Sequence, residues 1–384
     1  MQTENKQEVI IQRIDDVLNK LHNKDFTIHF FVVDSNNVPN GSMAYIYHLA
    51  KTLQNEGYKV KMLYQIENEA TPEEIQQCEQ EGNLIPEDRV FTGVTGWMGE
   101  EYTSLEHLNI SQVEWSVNPA DFLFIPEVFS SLMYQTMKYN LPCKRYVLMH
   151  NYDYVTEFIP FGVQWSNYGI TDVLTTSEAQ ATAIKEVFPY VKPKVLPPAI
   201  DEAFRKPILA QKLIVNILTK RQEDVNRIIK PFYWKYPAYR FVSFRDLRNF
   251  PRAEYSELLK EGAIAVWVDP ETPFGYAPLE AMRCNNIVIG QIPNNVPEWM
   301  GNDEHLHDNG LWVNNIREIP DALATIIGAW MKDNIPSAIY EEMDKTNTLY
   351  TTETWNHNVK DIFDNILNER IKEIEDVKIM ANKK

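Results

Sequence analysis

TIHFFVVDSNNVPNGSMAYIYHLAKTLQNEGYKVKMLY, residues 27–64, combines two apolar runs with an amphipathic segment between them. The run at 27–34 is apolar without strict alternation, which is typical of a strand covered on both faces. After a turn-rich loop, a helical period gives one apolar face made of Tyr45, Ile46, Leu49, Ala50 and Leu53, and Gly57 is a typical helix end. Residues 60–64 read as the next strand. The unit therefore predicts two parallel strands joined by a helical crossover.

The same succession of apolar runs and helical stretches continues along the chain. We expect further strands, in a first series, at 121–127, 145–150 and 172–177 and, in a second series, at 212–219, 239–244, 263–269, 286–290 and 310–313. The pattern predicts an α/β fold of two tandem Rossmann-like domains, each a doubly wound parallel sheet, facing each other across a cleft. We place the domains at 1–204 and 205–384 and leave open that the final helix packs back on the first. Ligands of such sheets bind beyond the carboxyl ends of the strands, so the cleft is the expected site.

Bulk properties narrow the function classes. The 384 residues carry 54 acids and 37 bases, a formal charge of −17, which disfavours broad binding to nucleic acid or anionic membranes but not a local basic groove. The three cysteines are far apart and lack ligand spacing, so we expect neither a disulfide framework nor a zinc site. The N-terminus lacks the apolar core of a signal peptide, and no apolar run is long enough to span a membrane. We expect a cytoplasmic protein.

Residues 273–290, PFGYAPLEAMRCNNIVIG, place a single acid, Glu280, in an otherwise apolar helix. The helix is predicted to begin near Ala277 and Pro278, and free N–H groups at its amino end favour an anion such as phosphate. Gly275 lets the backbone approach closely because it has no Cβ. Glu280, a turn further in, could accept two hydrogen bonds from a ribose diol. On local chemistry alone, a plain turn and an acid that complements the helix dipole explain these residues at least as well.

Resemblance to a known family adds to this interpretation. Glu271, Phe274, Gly275 and Leu279-Glu280-Ala281-Met282 resemble the C-terminal signature of the family 4 glycosyltransferases of the GT-B fold. Val296-Pro297-Glu298 is similar to the family's Pro-Glu segment, and SEAQATAIKEVF (177–188) with VLPPAID (195–201) resembles its serine-led helix and the segment that follows. The chain departs from the pattern in that Glu271 lies one residue out of register and Asn294-Asn295 replaces two glycines.

The resemblance implies a retaining transfer from a nucleotide-diphosphate sugar, with the donor on the second domain and the acceptor mainly on the first. Lys220 and Arg221 would neutralise the departing diphosphate, where charge builds as the glycosidic bond breaks. His150, which ends the strand predicted at 145–150, resembles the family's histidine that contacts the transferred sugar, and Glu271 corresponds to a glutamate near the reacting sugar. The implied catalytic residues are thus His150, Lys220, Arg221 and Glu271. The implied donor-binding residues are Gly41, Arg227, Phe274, Gly275, Tyr276, Ala277 and Glu280.

Other interpretations of the same residues stay open. Arg227, beside Glu223 and Asp224, also suits a solvated surface, and a lone histidine is more often structural than catalytic. Gly41 in SNNVPNGS fits an ordinary strand–helix turn as well as a phosphate loop. Arg245 and Arg248, after the next strand, are weaker candidates for the diphosphate. Because no acidic pair and no Cys/His cluster shows metal-ligand spacing, we expect no metal and no cofactor. The donor substrate that we expect is a UDP-sugar.

Two other functions remain as alternatives: a nucleotide-sugar epimerase or phosphorylase on the same fold, and a non-catalytic descendant that binds nucleotides or acts as a scaffold. The acceptor stays open among a glycan, a lipid-linked sugar, a protein and a modified nucleobase in DNA. The aromatic-rich stretch at 151–168 is a candidate acceptor surface, because aromatic faces stack on sugars and bases, although buried packing explains many such residues.

Overall fold

The computed structural model of the chain describes residues 2–35, 38–86, 89–91, 93, 95–272, 274–302 and 304–383. It contains two parallel sheets, one of seven strands and one of five, each covered by helices. The predicted α/β architecture of two doubly wound sheets is confirmed. Three residues of the segments singled out in the sequence, 36 and 37 in the first loop and 273 before the signature helix, lie outside the described residues.

The first sheet is built from the N-terminal half of the chain. Its strands are β1 (Thr27–Phe31), β2 (Lys59–Tyr64), β3 (Glu106–Asn109), β4 (Phe122–Pro126), β5 (Lys144–Met149), β6 (Asp172–Thr175) and β7 (Lys192–Val195). The helices of this half are α1 (Gln2–His22), α2 (Gly41–Asn55), α3 (Pro72–Glu81), α4 (Thr95–Met98), α5 (Ser130–Lys138), α6 (Tyr152–Phe158) and α7 (Glu178–Val187). Alternate residues of β4 enter two different apolar cores, which shows that helices cover both faces of the sheet.

The second sheet follows the same plan with fewer strands. Its strands are β8 (Lys212–Thr219), β9 (Ser243–Asp246), β10 (Gly262–Val268), β11 (Ile287–Gln291) and β12 (Leu311–Val313). Its helices are α8 (Gln222–Lys235), α9 (Arg252–Glu261), α10 (Tyr276–Arg283), α11 (Ile319–Met331) and α12 (Ser337–Leu349). All seven residues of β10 are buried, as expected for the central strand of a sheet covered on both faces.

Strand order locates the place where a ligand is expected in each sheet. The first sheet runs β3-β2-β1-β4-β5-β6-β7 and the second runs β12-β11-β10-β8-β9. The direction of winding therefore reverses between β1 and β4 and again between β8 and β10. Crevices open at such reversals, outside the carboxyl ends of the strands. Glu127 follows β4 directly, and Lys220 and Asp269 follow β8 and β10.

The chain crosses between the two sheets twice. It passes from β7 to β8, where the predicted boundary at 204/205 lies, and returns before a long last helix, α13 (Thr352–Asn382). The two crossings touch, because the Ile200 N–H donates to the Tyr350 carbonyl oxygen over 2.9 Å. Trp355, Val359 and Phe363 of α13 belong to the apolar core of the first sheet. The C-terminal helix thus stabilises the N-terminal half. Within the described residues, no helix is both long and apolar enough to cross a membrane.

Local boundaries differ from the sequence prediction at a few points. The strand predicted at 239–244 begins only at Ser243, because α8 runs into a short 3-10 helix at Pro237–Tyr239 and a turn closes from the Val242 N–H to the Tyr239 carbonyl. The signature helix begins one residue early, at Tyr276, with Gly275 as its N-cap. The edge strand β3 was not predicted, because it is short and only half-buried.

Candidate functional site

A cavity of about 510 Å³ lies between the two domains and is lined by residues of both. Its volume is within the range of small-molecule sites in proteins. The first domain contributes residues of α2 and of the segment after α4, among them Gly41, Ala44, His48 and Tyr102. The second domain contributes Leu247, Arg252, Tyr255, Tyr276, Ala277 and Glu280. We call this space the interdomain cavity. A ligand bound in it would touch both halves of the molecule.

Glu280 lies in the wall of the interdomain cavity, with 7% of its surface exposed. Its Oε1 is 3.7 Å from Nη1 of Arg252, the first residue of α9, and the Tyr255 hydroxyl interacts with the same carboxylate. Burial raises the pKa of Glu280 above its usual range, and the Arg252 guanidinium offsets only part of this effect. Arg252 is shared with Asp201, whose Oδ2 is 3.4 Å from Nε. The carboxylate is therefore loosely paired and faces open space.

The amino end of α10, the helix that carries Glu280, lies at the same cavity, which Tyr276 and Ala277 line. Its N-cap, Gly275, has a φ of +82° and supplies no side-chain cap. A Cβ at this position would lie 3.1 Å from the Trp299 ring and 3.3 Å from the Trp267 ring, so glycine is required by both conformation and space. Trp299 Nε1 donates to the carbonyl oxygen of Phe274, which fixes the turn. The turn that is predicted to bind phosphate is thus packed against two buried tryptophans.

A second cavity, of about 160 Å³, adjoins the first and shares Leu247, Tyr255 and Ala277 with it. It lies at the carboxyl ends of β8 and β10, where the winding of the second sheet reverses. Lys220 lines it, with Nζ 2.9 Å from Oδ2 of Asp269, and Arg248 lines it from the loop after β9. Arg248 is itself held by Asp246 at 2.6 Å. We call this space the cationic cavity, because a lysine and an arginine face it beside the amino end of α10.

Arg221 and Arg227 take a different position from Lys220. Neither is among the residues that line the two cavities, and both are bound to Asp224. The Asp224 side chain is only 2% exposed, with Oδ2 at 2.8 Å from Arg221 Nε and Oδ1 at 3.2 Å from Arg227 Nη1. Asp224 is thus a buried anchor for two arginines that reach solvent. Arg245, the weaker candidate, is bound to Glu261 at 2.7 Å at the edge of the second sheet.

The first domain brings one predicted residue, Gly41, and one further residue, His48, to the cleft. Gly41 is the first residue of α2, which Asn40 caps by accepting from the Met43 N–H, and the Tyr276 ring lies across from it. A Cβ on Gly41 would make only ordinary contacts with that ring at 3.7 Å, so the space does not require glycine here. His48, a residue the sequence did not single out, faces the cavity and stacks on Trp355 at 4.9 Å. Burial lowers the pKa of His48 to about 4, so it is neutral at physiological pH.

His150 and Glu271, two of the predicted catalytic residues, line neither of the two cavities, but their segments meet between the domains. The Asn151 side-chain amide, next to His150, donates to the Glu271 carbonyl oxygen over 3.2 Å. His150 itself is buried and contacts Glu127, with Nδ1 3.3 Å from Oε2. The Glu271 residue is exposed, and its carboxylate is close enough to Asp153 and Arg221 to affect the pKa of each. The out-of-register glutamate therefore lies at the cleft, within the electrostatic reach of both domains.

The fold brings together Gly41, Tyr276, Ala277 and Glu280 around one cavity, with Lys220 in the next. Arg221 and Arg227 lie outside the lining of both cavities and are paired with Asp224. Sequence reasoning missed Arg252, Asp269, Glu127 and His48. A signal existed for two of them, since Asp269 and Glu127 are acids that end predicted strands. In the aromatic stretch at 151–168, Trp165 and Tyr168 are buried, whereas Tyr154, Phe158 and Phe161 are exposed. The described residues contain no group of three or more His, Cys, Asp or Glu that could hold a metal ion.

Comparison with solved structures identifies the fold. A sucrose-phosphate synthase from Thermosynechococcus elongatus aligns over 90% of this chain and 100% of its own, with a TM-score of 0.59 and 12% identity. The pneumococcal O-GlcNAc transferase GtfA, solved with UDP and GlcNAc, aligns over 90% and 99%, with a TM-score of 0.58 and 11% identity. HepE from Anabaena, solved with UDP-glucose, aligns over 88% and 100%, with a TM-score of 0.55 and 13% identity. No family model and no curated protein matches the sequence. The chain thus has the two-domain GT-B fold of these glycosyltransferase structures.

Proposed function

We propose that this protein is a glycosyltransferase that moves a sugar, with retention of configuration, from a nucleotide-diphosphate sugar to an acceptor. One observation carries the proposal: the Glu280 carboxylate faces the interdomain cavity beside the uncapped amino end of α10, and Lys220 lies in the adjoining cationic cavity. A nucleoside diphosphate needs this arrangement of groups, in which a hydrogen-bond acceptor for the ribose hydroxyls lies next to donors and cations for the phosphates.

The charges of the two cavities support this proposal for the donor. The interdomain cavity carries the carboxylates of Glu101, Asp201, Glu202 and Glu280 against one guanidinium, Arg252, which suits hydroxyl and N–H groups. The cationic cavity carries Lys220 and Arg248 against Asp269, which suits the diphosphate. As the glycosidic bond breaks, negative charge grows on the departing phosphate, and fixed cations and amides stabilise it without moving. No cofactor enters this scheme.

A UDP-sugar is the donor we propose. Support comes from structures of similar fold that were solved with UDP or with UDP-glucose. Retention rests on the resemblance of residues 271–282 to the family 4 signature. In this scheme His150 of the first domain and Glu271 of the second flank the transferred sugar, because their segments meet at the hydrogen bond from Asn151 to the Glu271 carbonyl.

The acceptor binds mainly to the first domain. A glycan, a lipid-linked sugar, a protein and a modified nucleobase in DNA are the classes to test, and the formal charge of −17 disfavours DNA unless a local basic groove receives it. The exposed rings of Tyr154, Phe158 and Phe161 are the surface we propose for stacking on the acceptor.

A screen of UDP-, GDP-, ADP- and dTDP-sugars by thermal shift, followed by donor hydrolysis assays, tests the proposal. We expect a UDP-sugar to stabilise the protein and to be turned over, and Lys220→Ala to abolish turnover. Lys212→Ala is the matched control. Lys212 is the first residue of β8, whereas Lys220 follows the last, and the two side chains are similarly exposed. Lys212 is also paired with an acid, Glu261, at 2.6 Å. Equal turnover by both variants would remove the assignment. Binding without transfer to any acceptor would favour the non-catalytic alternative, and an epimerised donor would favour the epimerase.

A further inference from the structure

Glu127 is a buried carboxylate that the proposed function has not used. It follows β4 at the point where the first sheet reverses its winding, and only 1% of its surface is exposed. Within the described part of the chain, no lysine or arginine pairs with it. Taking a carboxylate out of water costs several kcal/mol on the order-of-magnitude scale, and an apolar residue of similar shape avoids that cost. Its presence therefore points to a role other than stability.

Three N–H groups of one neighbouring segment compensate the charge. Oε1 accepts from the backbone N–H of His150 at 3.0 Å and from that of Asn151 at 2.9 Å. Oε2 lies 3.3 Å from Nδ1 of the His150 ring. An ionised carboxylate only accepts hydrogen bonds, so the proton of a neutral imidazole here is on Nδ1. The other ring nitrogen, Nε2, then carries a lone pair.

Nε2 of His150 is buried and has no hydrogen-bond partner among the described residues. Buried polar atoms are nearly always satisfied, and an exception calls for a ligand or a water. The ring is held from the side by Tyr45, whose centroid is 5.4 Å away, and the Tyr45 hydroxyl donates to the Leu196 carbonyl. The ring is thus packed on one side and has one nitrogen, Nε2, without a partner among the described residues. Its segment reaches the second domain through Asn151.

We propose that Glu127 is a positioning residue, which fixes His150 as the Nδ1–H tautomer so that Nε2 accepts a hydrogen bond from a hydroxyl of the bound sugar. This inference rests on the proposed function. Glu127 acts through His150 and does not touch the substrate. The logic is that of an acid that orients a histidine in a hydrolase triad, where the wrong tautomer abolishes the function although the geometry survives.

Glu127→Gln tests this directly. The amide oxygen still accepts from the two backbone N–H groups, whereas the amide NH₂ donates to Nδ1 and moves the imidazole proton to Nε2. We expect UDP affinity within twofold of wild type and turnover of a UDP-sugar lower by roughly 10- to 100-fold, the range of one unsatisfied buried hydrogen bond. In the His150→Ala background, Glu127→Gln should lower turnover no further, because the two residues act as one unit.

The first sheet offers a matched control in Asp121, at the other end of β4. Asp121 is also a buried acid, accepts from the backbone N–H groups of Thr27 and Asn118, and lies 3.5 Å from Nε2 of His29. Asp121→Asn should leave turnover within twofold of wild type.

The ring ¹⁵N shifts of His150, assigned with the His150→Ala variant in the free protein, report the tautomer independently of any sugar. The proposal would be overturned if the imidazole proton of the wild-type protein were on Nε2, or if Glu127→Gln turned over the UDP-sugar as fast as the wild type. It would also be overturned if Glu127→Gln lowered turnover by the same factor in the wild-type and the His150→Ala backgrounds. If wild-type protein turns over no nucleotide sugar, the proposed function fails, while a tautomer that still switches in Glu127→Gln upholds Glu127 as the residue that positions His150.

Discussion

Replacing Glu280 by glutamine separates what its carboxylate does for binding from what it does for folding. Burial raises the pKa of Glu280. A group whose pKa rises on folding adds stability that is fully present below its unfolded pKa and is lost as pH rises through its folded pKa. The ionised form of the buried carboxylate therefore adds no stability of its own, and an uncharged glutamine avoids the cost of burying a charge. Arg252 keeps Asp201 as a partner at 3.4 Å in the variant. We expect Glu280→Gln without ligand to have an unchanged or higher Tm at pH 7.

The binding loss follows from the hydrogen bonds that a ribose diol makes. Each hydrogen bond to a charged acceptor contributes about 1.5–3 kcal/mol. The glutamine amide keeps one acceptor oxygen but loses the charge and the second acceptor, so we expect a loss of about 2–3 kcal/mol. That corresponds to UDP binding weakened by about 30- to 150-fold.

Titration calorimetry with UDP, together with thermal unfolding, measures both quantities on the same protein. Glu298→Gln is the control, because Glu298 is a glutamate of the second domain whose carboxylate oxygens are also buried, burial also raises its pKa, and it does not line either cavity. UDP affinity should fall in Glu280→Gln only. Wild-type affinity in that variant, or an equal loss in both, would refute the assignment of Glu280 to the ribose.

Three further predictions concern the surroundings of Glu280. Gly275→Ala should lower the free energy of unfolding by about 1–3 kcal/mol and abolish UDP binding, because the backbone is left-handed and Cβ would meet the Trp299 ring. The control is Gly57→Ala, which has a similar φ of +87° and no atom within 4 Å of its Cβ, so urea unfolding of this variant measures the backbone strain alone. Equal losses of unfolding free energy in the two variants would exclude the clash with the ring. Asp224→Ala should lower the free energy of unfolding, measured in urea, by only about 1–2 kcal/mol, because both arginines that Asp224 anchors reach solvent and no buried charge is left unpaired. A change near zero would mean that Asp224 does not anchor the arginines. UDP affinity should fall as the pH is lowered, because the raised pKa of Glu280 makes its protonation begin at a higher pH than that of an ordinary glutamate, whereas His48, with a pKa of about 4, stays neutral down to pH 5. Calorimetry should show a shallower pH profile in Glu280→Gln than in the wild type.

Much of the fold was predictable from local patterns. The run at 212–219 is a strand with those bounds, and the helix after residue 40 buries the predicted face of Tyr45, Ile46, Leu49, Ala50 and Leu53. A strand that is buried on both faces lacks the alternation of apolar and polar residues, and a helix with one buried face has apolar residues at the helical period. Both patterns can be recognised in the amino-acid sequence. Two of the short edge strands, β3 and β9, are only partly buried and give a weaker signal, so β3 was missed and β9 was placed too early, although the edge strand β12 was predicted.

The site was predictable only as far as one segment extends. Residues 274–280 contain the turn, the helix start and the acid, and their relation depends on helix geometry alone. The surface aromatics of 151–168 show the limit of this kind of inference. The sequence could not separate buried Trp165 from exposed Phe161, because Phe161 lies in a turn and Trp165 begins a 3-10 helix of four residues, which is too short to show a period.

By itself the sequence determined the class of fold, two wound parallel sheets, and the presence of a buried acid one turn inside a helix with an uncapped amino end. The tertiary structure decided which charges meet. Arg252 comes from α9 to Glu280, His48 comes from the other domain to the same cavity, and Asp269 joins Lys220 from the neighbouring strand. Ion pairs and hydrogen bonds depend on distances of a few ångströms, and between residues far apart in the chain those distances are set by strand order and domain closure, which no local pattern of residues records.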